Sequence, residues 1–316
     1  MSKRVRTDLD HLPDAKRREL DLVVQLLFEE FRDATALAQQ PWKKQARILK
    51  IILFGSHARG GWVDEPHTAK GYQSDFDLLI IVNHDKLTDR ASYWSKADER
   101  LIRERTLTGA LRTPVNFIVH TLAEVNDALA QGRYFFADIA RDGIALYQSD
   151  EIQLVQPRPK TPAEALEIAK EYADDWLPSG RQFLRQYRHA MDDNAPKIAI
   201  FDLHQAAERF YHGVLLTLTL YTPHSHRLSL LRSMAEQLDS RMITAWPRET
   251  RADRAYFEKL KDAYIKARYS KHFAVSKEDL DWLGARVEAL GRIAEEVCAE
   301  RIASLRGIER SDQSPS

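Results

Sequence analysis

Cysteine is almost absent from this sequence. The 316 residues include a single one, Cys298, so an internal disulfide is excluded and we expect a reducing compartment, the cytoplasm. An excess of charge is absent too, because 47 Lys and Arg residues are balanced by 47 Asp and Glu residues. A global electrostatic attraction to nucleic acid is therefore excluded, while a local basic patch is not. The sequence also lacks an apolar signal core and any apolar run long enough to span a bilayer, so we expect no membrane partner.

What is present suits a globular protein of two domains. Apolar residues make up 44% of the chain and charged residues 30%. Apolar runs separated by helical patterns predict an α/β domain over residues 1–150. Prolines mark a linker over 151–161, and helical periodicity then continues over 162–306. The polar residues 307–316 predict a disordered tail.

The stretch from residue 51 to 82 carries the strongest chemical pattern. Its opening apolar run predicts a buried strand, and Gly55 and Ser56 follow directly. A second predicted strand begins with Asp75 and Asp77, whose side chains point to one face because side chains alternate along a strand. Two adjacent carboxylates repel each other, and a divalent cation such as Mg²⁺ relieves that repulsion. Gly55 lets the backbone approach a ligand closely, and the amides after Ser56 can face a phosphate, so the pattern predicts a site for a nucleoside triphosphate and a metal.

The same residues carry a family resemblance. The sequence GSHARG at 55–60, followed by SDFD at 74–77, resembles the signature of the DNA polymerase beta-type nucleotidyltransferases, in their minimal bacterial subgroup. The resemblance implies Mg²⁺-dependent transfer of a nucleoside monophosphate, AMP above all, from ATP or another NTP to an acceptor hydroxyl. The alternative for these residues is a solvated turn that leads into an ordinary core strand.

The resemblance assigns a role to each motif residue. Gly55 and Ser56 would hold the triphosphate, and Arg59 would help to neutralise phosphate charge. Asp75 and Asp77 would bind the metal and serve catalysis.

Asn116 lies in a predicted strand, 114–119, where this family usually carries a third metal-binding acid. Asparagine offers a carbonyl oxygen but no negative charge, and it cannot act as a base. In a two-metal site the third acid helps to hold the ion that activates the attacking hydroxyl. Asn116 is therefore expected to impair turnover more than nucleotide binding. The alternatives are that the alignment is shifted or that Asp64 or Glu65 serves as the third acid. A degraded transferase that acts as a nucleotide- or RNA-binding module is the alternative function.

The helical half resembles a HEPN domain. The resemblance rests on residues 203–209, 224–228 and 262–272. Helical patterns after the linker predict a bundle of about five helices. Many HEPN domains are ribonucleases with an Arg and a His that are separated by about four to six residues. Here three residues separate Arg268 from His272, and the Arg268-Tyr269 pair is closer to the nucleotide-binding branch. The candidate HEPN site is Arg268, Tyr269 and His272, with a polar helix end as the alternative.

Together the resemblances imply an α/β nucleotidyltransferase domain, a mixed sheet with flanking helices, followed by an all-α HEPN helical bundle. Proteins of these two families often form antitoxin–toxin pairs in which AMP can be attached to a HEPN tyrosine, and Tyr269 is the candidate acceptor by position. A HEPN ribonuclease regulated by its fused domain is a further alternative, with RNA as a partner. HEPN modules usually pair through their helices, so we expect a homodimer built on the apolar face of residues 196–220.

Overall fold

The chain divides into two compact units. The computed structural model describes residues 5–36, 39–64, 73–149 and 153–312, with side chains as far as residue 309. Within these ranges one unit extends to Pro159 and the other begins at Lys160. The first is an α/β unit and the second is helical, as the sequence predicts. Glu65, one of the two acids that could replace Asn116 as the third acid, lies outside the described residues.

The N-terminal unit is built from short helices around a mixed four-stranded sheet. Its elements in chain order are α1 (Asp14–Thr35), α2 (Pro41–Lys44), β1 (Ile48–Phe54), α3 (Gly55–Arg59), β2 (Phe76–Val82), α4 (Arg90–Tyr93), α5 (Ser95–Arg103), β3 (Val115–Thr121), α6 (Leu122–Ala130), α7 (Tyr134–Asp142) and β4 (Ile144–Gln148). The strand order is β3-β2-β1-β4. Strand β1 is antiparallel to both of its neighbours, whereas β2 and β3 are parallel.

The alternation of side chains along β2 determines the face of the sheet on which Asp77 lies. Leu78 and Ile80 belong to a core cluster that also contains Leu20 and Val23 of α1. Because successive side chains point to opposite faces, Asp77 lies on the face away from α1. All residues of β1 and β2 are buried, which suits two central strands that are covered on both faces.

The charge-rich segment after β2 differs from its prediction. The sequence predicts one helix over residues 87–108, whereas the structure has a 3₁₀ turn (Asp85–Thr88), then α4, α5 and a π-helical turn (Glu104–Thr108). The cause is Asp89, whose carboxylate accepts hydrogen bonds from the backbone N–H groups of Ala91 and Ser92 and so starts a new helix.

Six helices form the described part of the C-terminal unit. They are α8 (Pro162–Asp192), α9 (Pro196–Thr219), α10 (Leu228–Leu238), α11 (Arg241–Thr244), α12 (Arg251–Tyr269) and α13 (Lys277–Asp312). The prediction for residues 163–192 left open one long helix or a broken pair, and the structure has one helix that contains Pro178. Gly180 then lets Phe210 of α9 pack closely, since a Cβ at Gly180 would lie 2.6 Å from the Phe210 ring. Gly291 of α13 approaches the same ring, so Phe210 fills the space between three helices.

The structure also bears on the predicted disordered tail and on the apolar face predicted to form a homodimer. Helix α13 continues to Asp312, past Gly307 where a disordered tail is predicted. One glycine costs a helix only about 1 kcal/mol relative to alanine, so it does not have to end the helix. The apolar residues of α9 that motivated the homodimer, among them Leu203 and Val214, are buried within the bundle of the same chain. The homodimer itself stays a prediction.

Among the described helices, none combines the length and apolarity needed to cross a membrane.

Candidate functional site

The predicted acids and the third-acid position meet at one edge of the sheet. Asp77 near the start of β2 pairs with Phe54 at the end of β1. On its other side Asp77 pairs with Asn116 of β3. Asp77 is 1% exposed, so its carboxylate is shielded from bulk water. Phe54, Asp77 and Asn116 therefore lie side by side on three adjacent strands.

Asn116 makes a contact that residue spacing could not predict. Its side-chain Nδ2 donates a hydrogen bond to Oδ2 of Asp75, at 2.7 Å. An acid at this position would instead add a third carboxylate. The amide therefore stabilises one of the two predicted metal ligands by a neutral donor and orients its carboxylate.

Gly55 and Ser56 are the first two residues of α3 and directly follow β1, as the motif requires. Gly55 has φ of 75°, a left-handed conformation that favours glycine. The Ser56 hydroxyl oxygen is buried and has no hydrogen-bond partner among the described residues. An unsatisfied buried hydroxyl is costly in an isolated fold, by roughly 1–3 kcal/mol, and such a group is a natural binding point for an outside oxygen ligand.

His57 belongs to the site, although the sequence assigned it no role. Its side chain is 1% exposed, and its Nδ1 lies 3.0 Å from the carbonyl oxygen of Asp75. Burial lowers the pKa of His57 to about 4, so the ring is neutral at physiological pH. The only sign of this role in the sequence was the position of His57 inside the GSHARG motif. The third residue of that motif is variable, so the motif alone does not predict a contact between His57 and Asp75.

Arg59 lies at the exposed end of α3, near acids of α7. Burial raises the pKa of Asp138, and the positive charges of Arg141 and Arg59 oppose that rise. The pKa of Asp142 is lowered, first by a hydrogen bond from Arg141 and also by the charge of Arg59. The Arg59 charge is thus shared with two acids of this unit, which weakens the expectation that it serves phosphate alone.

The spare acid Asp64 has a structural role. Its carboxylate accepts a hydrogen bond from Gln73 at 3.0 Å and forms an ion pair with Lys16 of α1, also at 3.0 Å. Lys16 in turn donates to the Thr113 hydroxyl just before β3. These contacts join three segments of the chain and give Asp64 a role without invoking catalysis. Within the described residues, no group of three or more His, Cys, Asp or Glu side chains is arranged to hold a metal.

In the helical unit, the structure brings two of the three predicted HEPN residues together. Arg268 lies in the last turn of α12, and its Nε donates to the carbonyl of Tyr264 at 2.7 Å. Its guanidinium lies 4.4 Å from the ring centre of Tyr264 and 5.1 Å from that of Tyr269, distances typical of cation–π contacts. Tyr269 is 74% exposed, and His272 follows in an exposed segment.

A second cluster, missed by the sequence reading, adjoins Arg268. The His226 ring stacks on Tyr264, with ring centres 4.4 Å apart. His226 Nδ1 contacts the carboxylate oxygens of Glu208 at 3.0 and 3.1 Å. Two more histidines, His204 and His212, approach the same carboxylate at 3.7 Å. We call Glu208 and the three histidines around it, His204, His212 and His226, the Glu208 cluster.

Electrostatics within the Glu208 cluster follow from burial and contact. Burial acts to raise the pKa of Glu208, but the nearby His212 and the hydrogen bond from His226 outweigh it, and the pKa is lowered. Burial lowers the pKa of His204 to about 4, which keeps this fully buried ring neutral. Spacing of four residues along α9 places His204, Glu208 and His212 on one helix face. That spacing was visible in the sequence, whereas the approach of His226 from the loop before α10 was not.

Comparison with family models identifies the helical half. Residues 173–297 match the HEPN domain family model. The match begins within α8 and ends within α13, so it includes Arg268, Tyr269, His272 and the Glu208 cluster. The HEPN domain supports a role that involves nucleotides or RNA. A search of curated proteins found no match. The nucleotidyltransferase resemblance of the first half stays a prediction.

Proposed function

We propose that the N-terminal unit is a nucleotidyltransferase that moves a nucleoside monophosphate, AMP in the leading case, from an NTP to an acceptor hydroxyl. The observation that carries this proposal is the buried hydroxyl of Ser56, two residues after β1, which has no hydrogen-bond partner among the described residues. It lies at the sheet edge where Phe54 pairs with Asp77 and Asp77 pairs with Asn116. A phosphate oxygen would give this hydroxyl the acceptor that it otherwise lacks.

The side chains at this edge fit one Mg²⁺ rather than two. Mg²⁺ prefers oxygen ligands and is commonly held by one or two carboxylates together with substrate phosphates. Asp75 and Asp77 supply the carboxylates, whereas Asn116 donates its amide hydrogen to Asp75. In this proposal the ion, when bound, neutralises phosphate charge and polarises the phosphorus centre.

The chain's own residues then bind and orient the substrate. Ser56 donates to a phosphate oxygen, Gly55 allows the close backbone approach, and Asn116 holds the Asp75 carboxylate in place. In the transfer, the acceptor oxygen bonds to the α-phosphorus, pyrophosphate leaves, and the acceptor proton passes to a base. Asn116 cannot take that proton, so we expect slow turnover. Tyr269, with 74% of its surface exposed, is our candidate acceptor.

Labelled NTPs provide the test. The protein is incubated with each NTP and Mg²⁺, and intact mass is measured for the addition of one nucleoside monophosphate. We expect addition in the wild type, loss in the double variant Asp75→Asn/Asp77→Asn, and no change in Asp21→Asn, which removes an exposed acid of α1. Tyr269→Phe should abolish the mass increase if Tyr269 is the acceptor. Binding of nucleotide without any Mg²⁺ dependence would contradict the proposal.

Asn116→Asp separates the transferase from a degraded, nucleotide-binding module. A restored acid could complete the proton transfer, which is worth roughly a hundredfold or more in rate. We therefore expect faster transfer with nearly unchanged nucleotide affinity. Tight, Mg²⁺-dependent NTP binding with no transfer in either protein would favour the binding module.

A second function, RNA cleavage by the HEPN domain, is favoured by the geometry around Arg268. His226, with its side chain 57% exposed, is held by the buried carboxylate of Glu208 and shares the Tyr264 ring with Arg268. A carboxylate-oriented imidazole beside a guanidinium can serve acid–base chemistry on a phosphodiester. We propose His226, rather than His272, as the histidine of such a site. RNA cleavage in EDTA should be lost in His226→Ala and retained in His272→Ala, whereas equal loss in both would contradict this assignment.

A further inference from the structure

The backbone of Asp75 lies just outside the regular sheet. Strand β2 begins at Phe76, whose N–H donates to the carbonyl of Pro114 at 2.7 Å. Asp75 therefore precedes the first regular pair of the ladder, and its carbonyl needs another partner to be fixed. His57 supplies that partner through the 3.0 Å contact between its Nδ1 and the Asp75 carbonyl oxygen.

Hydrogen-bond chemistry defines the form of His57. A carbonyl oxygen only accepts, so Nδ1 carries the hydrogen and Nε2 does not. The ring is held by aromatic contacts, stacked on Trp62 at 5.7 Å with an interplanar angle of 13° and set edge-on to Phe76 at 4.6 Å. The backbone is held as well, because His11 Nε2 lies 2.7 Å from the carbonyl oxygen of His57. The donor that reaches Asp75 is therefore fixed in position and direction.

We propose that His57 is a positioning residue for a divalent cation bound with the triphosphate. Its Nδ1–H fixes the Asp75 backbone while Asn116 fixes the Asp75 carboxylate, and together they set the angle at which Asp75 joins Asp77 on the ion. This inference rests on the proposed function of the N-terminal unit. Groups that orient metal ligands in this way commonly change metal affinity by about tenfold or more when they are removed.

Two substitutions separate the hydrogen bond from the packing of the ring. His57→Phe keeps an aromatic ring against Trp62 and Phe76 but removes the N–H donor. His57→Asn removes the ring and keeps an amide N–H near the position of Nδ1. A residue that served only packing would be mimicked better by Phe, whereas a positioning donor would be mimicked better by Asn.

Mn²⁺ is the probe, measured by electron paramagnetic resonance on the full chain with a non-hydrolysable ATP analogue. We expect His57→Phe to weaken Mn²⁺ binding by about tenfold while thermal unfolding stays near that of the wild type. We expect His57→Asn to bind within about threefold of the wild type despite its lower thermal stability. Wild-type affinity in His57→Phe, with binding lost in Asp77→Asn, would overturn the role of His57 and leave the metal site standing. Absence of Mn²⁺ binding in the wild type would overturn the proposed function and this inference together.

Discussion

Each unit of the chain buries a carboxylate, but the two carboxylates have different surroundings. Asp77 is 1% exposed and Glu208 is 4% exposed. Around Glu208 the protein supplies three histidine side chains, each within 3.7 Å of the carboxylate. At the sheet edge, Asp75 receives a hydrogen bond from the neutral amide of Asn116. A carboxylate with titratable partners can serve stability by itself, whereas the aspartate pair gains most from a cation that arrives with a ligand.

The largest expected effect is therefore the loss of the Glu208 carboxylate. Glu208→Ala leaves three histidines without their shared acceptor, and removing one partner of a buried ionic group costs about 3 kcal/mol. Urea denaturation at pH 7 measures this loss. Asp77→Asn is the comparison at the buried acid of the N-terminal unit's site, and we expect it to alter the free energy of unfolding by less than about 1 kcal/mol. Equal losses in the two variants would remove the contrast between the sites.

The next effect is a dependence of stability on pH that comes from His204. Its folded pKa of about 4 lies below the ordinary value of 6.5, so the unfolded chain binds the proton more readily. Stability is then complete above pH 6.5 and is lost as the pH falls toward 4, by on the order of 2 kcal/mol. His204→Gln should reduce this slope, whereas His189→Gln, at an exposed position of α8, should not. The lowered pKa of Glu208 adds a further loss only below about pH 4.5.

Asp202 gives a smaller effect of opposite sign on the same helix. Burial raises its pKa to about 6, so the folded state disfavours the charged form. Stability due to this group falls as the pH rises from 3.8 to 6, and the penalty is complete at pH 7. We expect Asp202→Asn to stabilise the protein by about 1 kcal/mol at pH 7 and by almost nothing at pH 4. A difference between the variant and the wild type that does not change with pH would contradict this.

Local patterns predicted the elements, and long-range contacts account for what they missed. Hydrophobic periodicity was enough to predict the strands and most helices of the bundle, although six helices are described where about five were predicted. The junction at Asp89 was missed because a cap signal inside a charged helical pattern is weak. The continuity of α8 through Pro178 depends on packing against other helices, which periodicity alone does not report.

The sites show the same limit. Gly55, Ser56, Asp75 and Asp77 were found because together they match a known sequence motif. The Asn116 contact joins residues 41 positions apart, and the contact of His226 with Glu208 spans 18. The sheet register and the loop before α10 determine which side chains meet when they are far apart in sequence. Neither can be predicted from a local motif.

The smallest expected effect concerns His226 and sharpens the comparison within the Glu208 cluster. Its side chain is 57% exposed, unlike those of His204 and His212, so its pairing with Glu208 is screened by water. Exposed ion pairs contribute between zero and about 1 kcal/mol, and we expect His226→Ala to lower the free energy of unfolding by about 0.5 kcal/mol. Urea denaturation at low and high salt measures the change, with His224→Ala as the control in the same loop. A loss as large as that of Glu208→Ala would make His226 the main stabilising partner of Glu208 in the cluster. A small loss leaves the protein folded, so that any disappearance of RNA cleavage in His226→Ala would report on chemistry and not on stability.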